Sequence, residues 1–184
     1  LLNFNKQKGT DLVVAANAVV QPMGLYSNKI HSLDDIKADT KIAIPNDPSN
    51  GGRALVLLEK AGIIKLKPDY KGEASIHDVA ENPRGVKLVE LEAAQLPISL
   101  QDLDVACVPM NYAVSGGLDV NKQGFYFESR DAKYALIIIA ARPDNVQSPE
   151  VQTFVKCYQS PDVAAFIKEK FKGQINPAWE QPAK

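Results

Sequence analysis

The sequence predicts an α/β fold, because short apolar strands alternate with helical segments along the chain. Three runs indicate strands: residues 41–44 (KIAI), 86–91 (VKLVEL) and 104–108 (DVACV). A polar, glycine-containing loop follows the first of them and leads into a helical run over residues 53–61, which Gly62 ends. We therefore expect mainly parallel sheets with helices packed on them.

The beginning of the chain predicts an extended segment and a short helix. Residues 11–20 read DLVVAANAVV, a valine-rich run that suits a buried strand, and residues 23–26 resume it after a bend at Pro22. Ser32 then has the pattern of a helix cap, with two acidic residues near the positive end of the helix dipole. We expect a short helix over residues 33–37.

The end of the chain predicts one strand and two helices. Residues 134–141 form the most hydrophobic strand of the sequence. A Ser-Pro pair opens each of the two helices, which are expected at residues 149–158 and 161–171. Earlier in the chain, Ser99 has a further pattern typical of a helix start.

Composition excludes several classes of protein. The 184 residues include 21 Lys and Arg against 22 Asp and Glu, so the chain lacks the basic excess that nucleic-acid binders need. No apolar run approaches the roughly 18 residues of a membrane-spanning helix.

Cys107 and Cys157 lack partners at zinc-ligand spacing, and we predict two buried thiols, with a disulfide as the alternative. His31 and His77 are predicted to lie at the surface.

Two extended segments, at about residues 12–26 and 126–142, divide the chain. If both cross between lobes, residues 27–126 form one lobe, while residues 1–26 and 127–184 belong to the other. The cleft between two such lobes is the expected place for a small ligand.

The most informative stretch is residues 44–58, IPNDPSNGGRALVLL, which reads as strand, polar loop and helix. Ligands of open α/β sheets bind beyond the carboxyl ends of strands, where helix N-termini offer free N–H groups. Ser49 or Asn50 can cap the helix, and the two glycines that follow let a ligand approach the backbone. Arg53 would then lie in the first turn against the helix dipole, which suggests a bound anion. The alternatives are that it pairs with an acid such as Asp47 or projects into water.

Candidates for catalysis are weaker. Cys107 lies in an apolar strand, which favours a packed thiol over a nucleophile. Asp102 and Asp104 could form a carboxylate pair, but a solvated or capping role suits their positions at a helix start and a strand start. The glycines do not form the pattern of a phosphate-binding loop, because no Lys follows them. No catalytic residue, metal site or cofactor site is predicted.

Several motifs resemble, in the same order, those of the methionine-binding lipoproteins of the NlpA and MetQ family. The matching stretch covers about residues 12–179. Its most specific pieces are QPMGLYSNKI at residues 21–30, IPNDPSN at 44–50, GRAL at 52–55, VELEAAQLP at 89–97, NYA at 111–113 and YQSP at 158–161.

The resemblance implies the type II periplasmic binding protein fold, with two α/β lobes joined by two crossover strands. It also implies a non-catalytic receptor that delivers a small molecule to the permease and ATPase of an ABC importer. Proteins like this are usually held at the periplasmic face of the cell membrane by a lipid anchor, which is not in this chain. Members of the family begin upstream of Leu1, so the resemblance implies an N-terminally truncated first lobe.

The resemblance also implies a ligand site. Arg53 matches the family arginine that holds the ligand's carboxylate, and we expect Ser49, Asn50, Asn111 and Tyr134 to join it. Pro109 and Leu136 stand where the family commonly has Asn, and neither side chain can form the expected hydrogen bonds.

A local shift could bring Asn111 into the role of the missing amides. The expected ligand is therefore a methionine-like amino acid, a short peptide or another small carboxylate. The alternatives are an enzyme on the same two-lobed fold that acts on a small carboxylate, and a ligand-sensing effector domain.

Overall fold

The computed structural model of the chain describes residues 1–129 and 135–180. Strands and helices alternate along these residues. In chain order the strands are β1 (Val13–Val20), β2 (Met23–Tyr26), β3 (Lys41–Pro45), β4 (Lys65–Leu66), β5 (Val79–Glu81), β6 (Lys87–Leu91), β7 (Val105–Pro109), β8 (Gly124–Phe127), β9 (Leu136–Ala141) and β10 (Asn176–Pro177). The α-helices are α1 (Leu2–Lys8), α2 (Pro48–Lys60), α3 (Leu96–Ser99), α4 (Met110–Ser115), α5 (Val120–Gln123), α6 (Pro149–Tyr158) and α7 (Pro161–Phe171).

The chain forms two compact units. Leu1–Gln21 and Arg130–Lys184 make up the first unit, and Pro22–Ser129 make up the second. The division of the whole protein into lobes of residues 1–26 with 127–184, and of residues 27–126, stays a prediction.

The second unit is built on a mixed sheet. Its strand order is β6-β3-β7-β2-β8, in which β3 runs parallel to β6 and β7, while β2 runs antiparallel to β7 and β8. Between β3 and β6 in the chain, β4 and β5 form a separate two-stranded antiparallel sheet. The prediction of mainly parallel sheets was therefore wrong. A run of apolar residues indicates a strand but not its direction, because side chains alternate identically in both pairings.

The core of the second unit lies where the central strands meet α2. β7 is buried along its whole length, and so is β2. Ile42 and Ile44 from β3 pack in one cluster with Leu55 and Leu58 from α2. Complete burial of such a side chain contributes about 1.5 to 3 kcal/mol relative to exposure. This packing holds α2 against the sheet and so determines where its polar residues lie.

The first unit contains an antiparallel sheet of order β10-β1-β9. The strand predicted at residues 134–141 is β9, which begins at Leu136. It is not buried, since Leu136 is 38% exposed and Ile137 is 41% exposed. Val20, Ala135 and Ala178 form a buried apolar cluster in this unit.

The two predicted C-terminal helices are confirmed as α6 and α7. Ser148 caps α6 by accepting a hydrogen bond from the Val151 backbone N–H, and Ser160 caps α7 by accepting one from the Val163 backbone N–H.

The prediction that Ser99 begins a helix was wrong, because this residue ends α3 and donates its hydroxyl proton to the Leu96 carbonyl at 2.7 Å. A helix start and a last turn can both carry a serine, so the pattern alone does not distinguish them.

The helix predicted at residues 33–37 is a single 3₁₀ turn, Leu33–Asp35. Ser32 donates to the Asp35 carboxylate at 2.8 Å, and this bond lowers the pKa of Asp35 below its ordinary value.

Among the helices that the structure describes, none combines the length and apolar character that a membrane crossing requires.

Asp104 joins the starts of two strands and the loop after β2. Its carboxylate accepts a hydrogen bond from the Lys41 backbone N–H at 2.9 Å and pairs with the Lys29 ammonium at 3.2 Å. The backbone bond from Lys41 is the main cause that lowers the pKa of Asp104, and Lys29 adds to it. The capping role predicted for this residue is therefore close to the observed one, and Asp104 is not part of a carboxylate pair with Asp102.

The two cysteines differ in environment. Cys107 in β7 is buried and Cys157 in α6 is exposed, and both are free thiols. The prediction of two buried thiols was therefore wrong for Cys157. Burial raises the pKa of the Cys107 thiol above its ordinary value, and the negative charge of Glu128 raises it further.

We predict that thiol reagents distinguish the two cysteines. In the native protein, Ellman's reagent should titrate one thiol rapidly, because Cys157 is exposed and Cys107 is both buried and protonated. A second thiol should react only after denaturation with guanidinium chloride. Cys157→Ser should remove the fast phase, and rapid reaction of two thiols in the native protein would contradict the burial of Cys107.

We also predict that Asp104→Asn lowers the free energy of unfolding at pH 7 by about 1 kcal/mol, a value reduced by partial solvent screening. Because folding lowers the pKa of this carboxyl, its contribution is present above the unfolded-state pKa of about 3.9 and is lost as the pH falls through the folded-state pKa. Urea denaturation at pH 7 and near pH 3 should therefore show the two proteins converging in acid. Asp102→Asn, at an exposed neighbour, is the control. A difference that persists unchanged at pH 3 would contradict this role.

Candidate ligand site at the carboxyl edge of the sheet

Several chain segments with polar residues lie at one edge of the five-stranded mixed sheet, which is called the large sheet below. β6, β3 and β7 are parallel neighbours, so their carboxyl ends lie at the same edge. β8 is antiparallel to β2, which is antiparallel to β7, so the end of β8 reaches this edge too. The register places Met23 opposite Pro109 and Gly24 opposite Phe127. This carboxyl edge is where open α/β sheets bind ligands.

Helix α2 begins directly after β3 at this edge. Its N-cap is Asp47, whose carboxylate accepts from the Asn50 backbone N–H at 2.9 Å and also from the Asn50 side-chain amide. Pro48 occupies the first helical turn, where its fixed φ and missing N–H are favourable. The predictions of a helix beginning at residue 53 and of Ser49 or Asn50 as its cap were therefore wrong. Ser49 is exposed and Asn50 is half-buried.

The two glycines of α2 allow backbone from other segments of the same unit to pack closely against the helix. A Cβ atom at Gly51 would lie 2.7 Å from the carbonyl oxygen of Pro45, and one at Gly52 would lie 3.0 Å from the backbone of Ala74. Both distances are shorter than ordinary van der Waals contact. The prediction that these glycines let a ligand approach the backbone was wrong, because backbone of the same unit already fills that space.

Arg53 lies in the second turn of α2, not in the first as predicted. Its side chain is only 8% exposed, and its guanidinium binds the carboxylate of Glu128, whose side chain is 7% exposed. The Nε atom lies 2.9 Å from Oε1 and 3.0 Å from Oε2, and Nη2 lies 2.5 Å from Oε2. Of the two alternatives considered for Arg53, pairing with an acid is observed, but with Glu128 and not with Asp47.

Glu128 also holds the start of β2. Its Oε2 atom accepts from the Met23 backbone N–H at 2.8 Å, while its own backbone N–H donates to the Met23 carbonyl at 2.9 Å. The carboxylate thus ties the start of β2 to α2 and to the end of β8. Removing one partner of a buried ion pair typically costs about 3 to 5 kcal/mol, because the other charge stays buried without compensation.

Sequence reasoning did not identify Glu128. It lies 75 residues from Arg53, so no local spacing connects the two. The available signal was an acidic residue directly after the strand at residues 124–127, the position at which α/β sheets gather functional groups.

The other predicted ligand residues lie in different places. Asn111 is exposed in the first turn of α4, directly after β7, so it shares the carboxyl edge with Arg53. Pro109 ends β7 and pairs with Met23 across the sheet. Leu136 begins β9 in the first unit, opposite Val20. Tyr134 lies outside the described residues.

Groups for acid-base or metal chemistry are sparse. His31 and His77 are both exposed, which confirms the surface positions predicted for them. Across residues 1–129 and 135–180, no group of three or more His, Cys, Asp or Glu side chains could hold a metal ion. The strongest electrostatic feature described at the carboxyl edge is therefore the Arg53–Glu128 pair.

We predict that Gly51→Ala destabilises the protein by about 1 to 3 kcal/mol, because its methyl group would overlap the Pro45 carbonyl. Without that contact, the same change in a helix would stabilise it by about 1 kcal/mol, so the sign of the effect is informative. Urea denaturation monitored by circular dichroism measures it. Ser49→Ala, an exposed change in the same helix, should stay within about 0.5 kcal/mol. A Gly51→Ala protein more stable than the parent would contradict this packing.

Comparison with known proteins relates this arrangement to a family. The D-methionine-binding lipoprotein MetQ of Escherichia coli O157:H7 is 42% identical over 176 residues. The match covers 95% of this chain and 65% of that protein. The chain thus spans slightly less than two thirds of the length of this relative.

Solved structures agree with this relationship. A nutrient-binding protein from Burkholderia cenocepacia bound to methionine has 43% identity and a TM-score of 0.87, covering 95% of this chain and 73% of that one. A periplasmic substrate-binding protein of an ABC transporter from Coxiella burnetii has 40% identity and a TM-score of 0.86, with 96% and 74% covered.

These structures confirm the predicted type II periplasmic binding protein fold. The family model described as NlpA lipoprotein matches residues 1–179. Because this match extends over nearly the whole sequence, the chain belongs to the NlpA lipoprotein family.

Proposed function

We propose that this protein is the solute-binding component of an ABC importer and that it binds methionine or a related small amino acid or short peptide. The observation that carries the proposal is the buried guanidinium of Arg53 at the carboxyl edge of the large sheet. The names of the related proteins support the same ligand and the same transport role, since one structure contains methionine and another belongs to an ABC transporter.

Arg53 is suited to hold the carboxylate of the ligand. A guanidinium is planar, remains charged at all physiological pH values and binds carboxylates through paired N–H groups. Packing of α2 against the sheet and the bonds to Glu128 hold this side chain in one orientation, so little conformational entropy is lost when a ligand binds.

Polar residues from neighbouring segments would complete the site. Ser49 and Asn50 follow β3, and Asn111 follows the adjacent parallel strand β7. We propose that Asn111 supplies the amide that Pro109 cannot, because it lies two positions later at the same edge. Tyr134 stays a proposed ligand residue from the family resemblance alone.

The remainder of the proposed function concerns the whole protein. We propose that it works at the periplasmic face of the cell membrane, held there by a lipid anchor, and delivers its ligand to a permease and ATPase complex. Its relatives named as lipoproteins and as a periplasmic substrate-binding protein support this location. Such a receptor binds and releases its ligand without chemical change, so we expect tight binding without turnover.

We predict that Arg53→Ala weakens methionine binding at least about 30-fold, because truncating one member of a buried charged contact costs about 2 kcal/mol or more. Isothermal titration calorimetry of both proteins measures the change. Arg53→Lys should bind with intermediate affinity, because it keeps the charge but loses the paired N–H geometry. Lys60→Ala, which removes an exposed cation at the end of the same helix, is the control and should bind normally.

Circular dichroism should accompany these titrations, because Arg53→Ala leaves the Glu128 carboxylate buried without its described cationic partner. Unchanged methionine affinity in a folded Arg53→Ala protein would overturn the proposed site. Absence of methionine binding by the unaltered protein would overturn the proposed ligand.

A further inference from the structure

Asn50 and Gly51 form a pair of residues that is prone to spontaneous chemical change. Asn50 is the only asparagine in the sequence that a glycine follows. Because glycine has no side chain to hinder ring closure, its backbone nitrogen can reach the side-chain amide carbon of the asparagine before it. In an unfolded chain this pair is therefore expected to react faster than the other asparagines.

The reaction is deamidation through a cyclic imide. A bond forms between the Gly51 backbone nitrogen and the Asn50 Cγ atom, while the bond between Cγ and Nδ2 breaks. The proton of the Gly51 N–H group leaves with the side-chain nitrogen as ammonia. A water molecule then adds to one of the two imide carbonyls, and the ring opens to give aspartate or isoaspartate at position 50.

The backbone of α2 keeps the attacking nitrogen away from the side-chain amide. Both residues lie near the start of the helix, whose N-cap is Asp47. The Gly51 N–H donates to the Asp47 carbonyl oxygen at 2.7 Å, so this nitrogen already belongs to the helical hydrogen-bond pattern. The carbonyl of Pro45 also packs closely against Gly51. Ring closure therefore requires this turn of the helix to open first.

Asp47 holds both partners of the reaction. Its carbonyl oxygen binds the Gly51 N–H, and its carboxylate accepts from the Asn50 backbone N–H at 2.9 Å. The same carboxylate accepts from the Nδ2 atom of Asn50, at 3.3 Å and 3.1 Å for its two oxygens. The attacking nitrogen and the leaving group are thus bound to one residue. That residue lies at the end of a helix, where local opening is easiest.

We propose that Asn50–Gly51 is a deamidation site that the first turn of α2 keeps closed, and that Asp47 determines how slowly it reacts. This inference goes beyond the proposed function and does not depend on the ligand. Reaction would change the start of the helix in either case. An aspartate at position 50 would place a second carboxylate beside that of Asp47, and like charges repel. An isoaspartate would add a backbone methylene group to the turn that precedes Arg53.

The test measures the rate of deamidation at Asn50 during incubation at mildly alkaline pH. Trypsin releases residues 42–53 as one peptide, because Lys41 precedes this stretch and Arg53 ends it. Tandem mass spectrometry then locates the replacement of the side-chain NH₂ by OH, and unincubated protein gives the background. In the folded unaltered protein, the reaction should be at least about tenfold slower than in guanidinium chloride or in a synthetic peptide of residues 42–53.

Two variants of Asp47 separate capping from charge. Asp47→Ala should speed the reaction in the folded protein about fivefold, the factor that the typical loss of an N-cap implies for local opening. Asp47→Asn is the matched variant and should react within about twofold of the unaltered protein, because asparagine caps helices about as well as aspartate. It adds no second site, since Pro48 follows it and has no N–H group.

A further control is Ser148→Ala, which removes the N-cap of α6 in the first unit. It should leave the rate at Asn50 unchanged, because it does not touch the first turn of α2. Circular dichroism identifies the variants that fold. The comparison of folded with denatured unaltered protein tests the closed site without any variant.

Three results would overturn the inference. The first is a rate in the folded unaltered protein equal to that of the peptide, since the fold would then not protect the pair. The second is an unchanged or lower rate in folded Asp47→Ala, and a lower rate would mean that the carboxylate promotes the reaction as a base. The third is an equal acceleration by Ser148→Ala, which would assign the effect to general destabilisation.

Discussion

The buried ion pair between Arg53 and Glu128 is the interaction on which the arrangement of the second unit depends. Two opposite charges are removed from water together, and each is compensated by the other. Because Glu128 also binds the backbone of Met23, the pair connects the strand that enters the unit with the strand that leaves it, and connects both with α2. Both charged side chains are therefore held in fixed orientations within the unit.

Close packing of α2 on the sheet makes this pair possible. Because Gly51 and Gly52 have no side chains, the helix approaches the end of β3 and the loop at Ala74 more closely than it could with any other residue at these two positions. The apolar side of the helix joins the core beneath it. The glycines thus help to place Arg53 within hydrogen-bonding distance of a carboxylate 75 residues later in the chain.

The two units differ in how completely they bury their strands. In the second unit, β2 and β7 are buried throughout, whereas β9 of the first unit leaves Leu136 and Ile137 largely exposed although its sequence is the most apolar of all. Hydrophobicity of a run therefore predicted a strand correctly in both units. Whether the strand is covered depends on what packs against it, which a run of residues does not encode.

The sequence by itself determined the α/β class, four strands of the second unit (β2, β3, β6 and β7), the two C-terminal helices and the family, because these depend on local periodicity, on capping residues and on short motifs. It also pointed to Arg53 as the central cation. Tertiary structure alone decided the direction of β2, the packing role of the glycines, the exposure of Cys157 and the identity of Glu128 as the partner of Arg53. Each of these depends on contacts between residues distant in the chain, and such contacts leave no spacing or period that a local pattern can record.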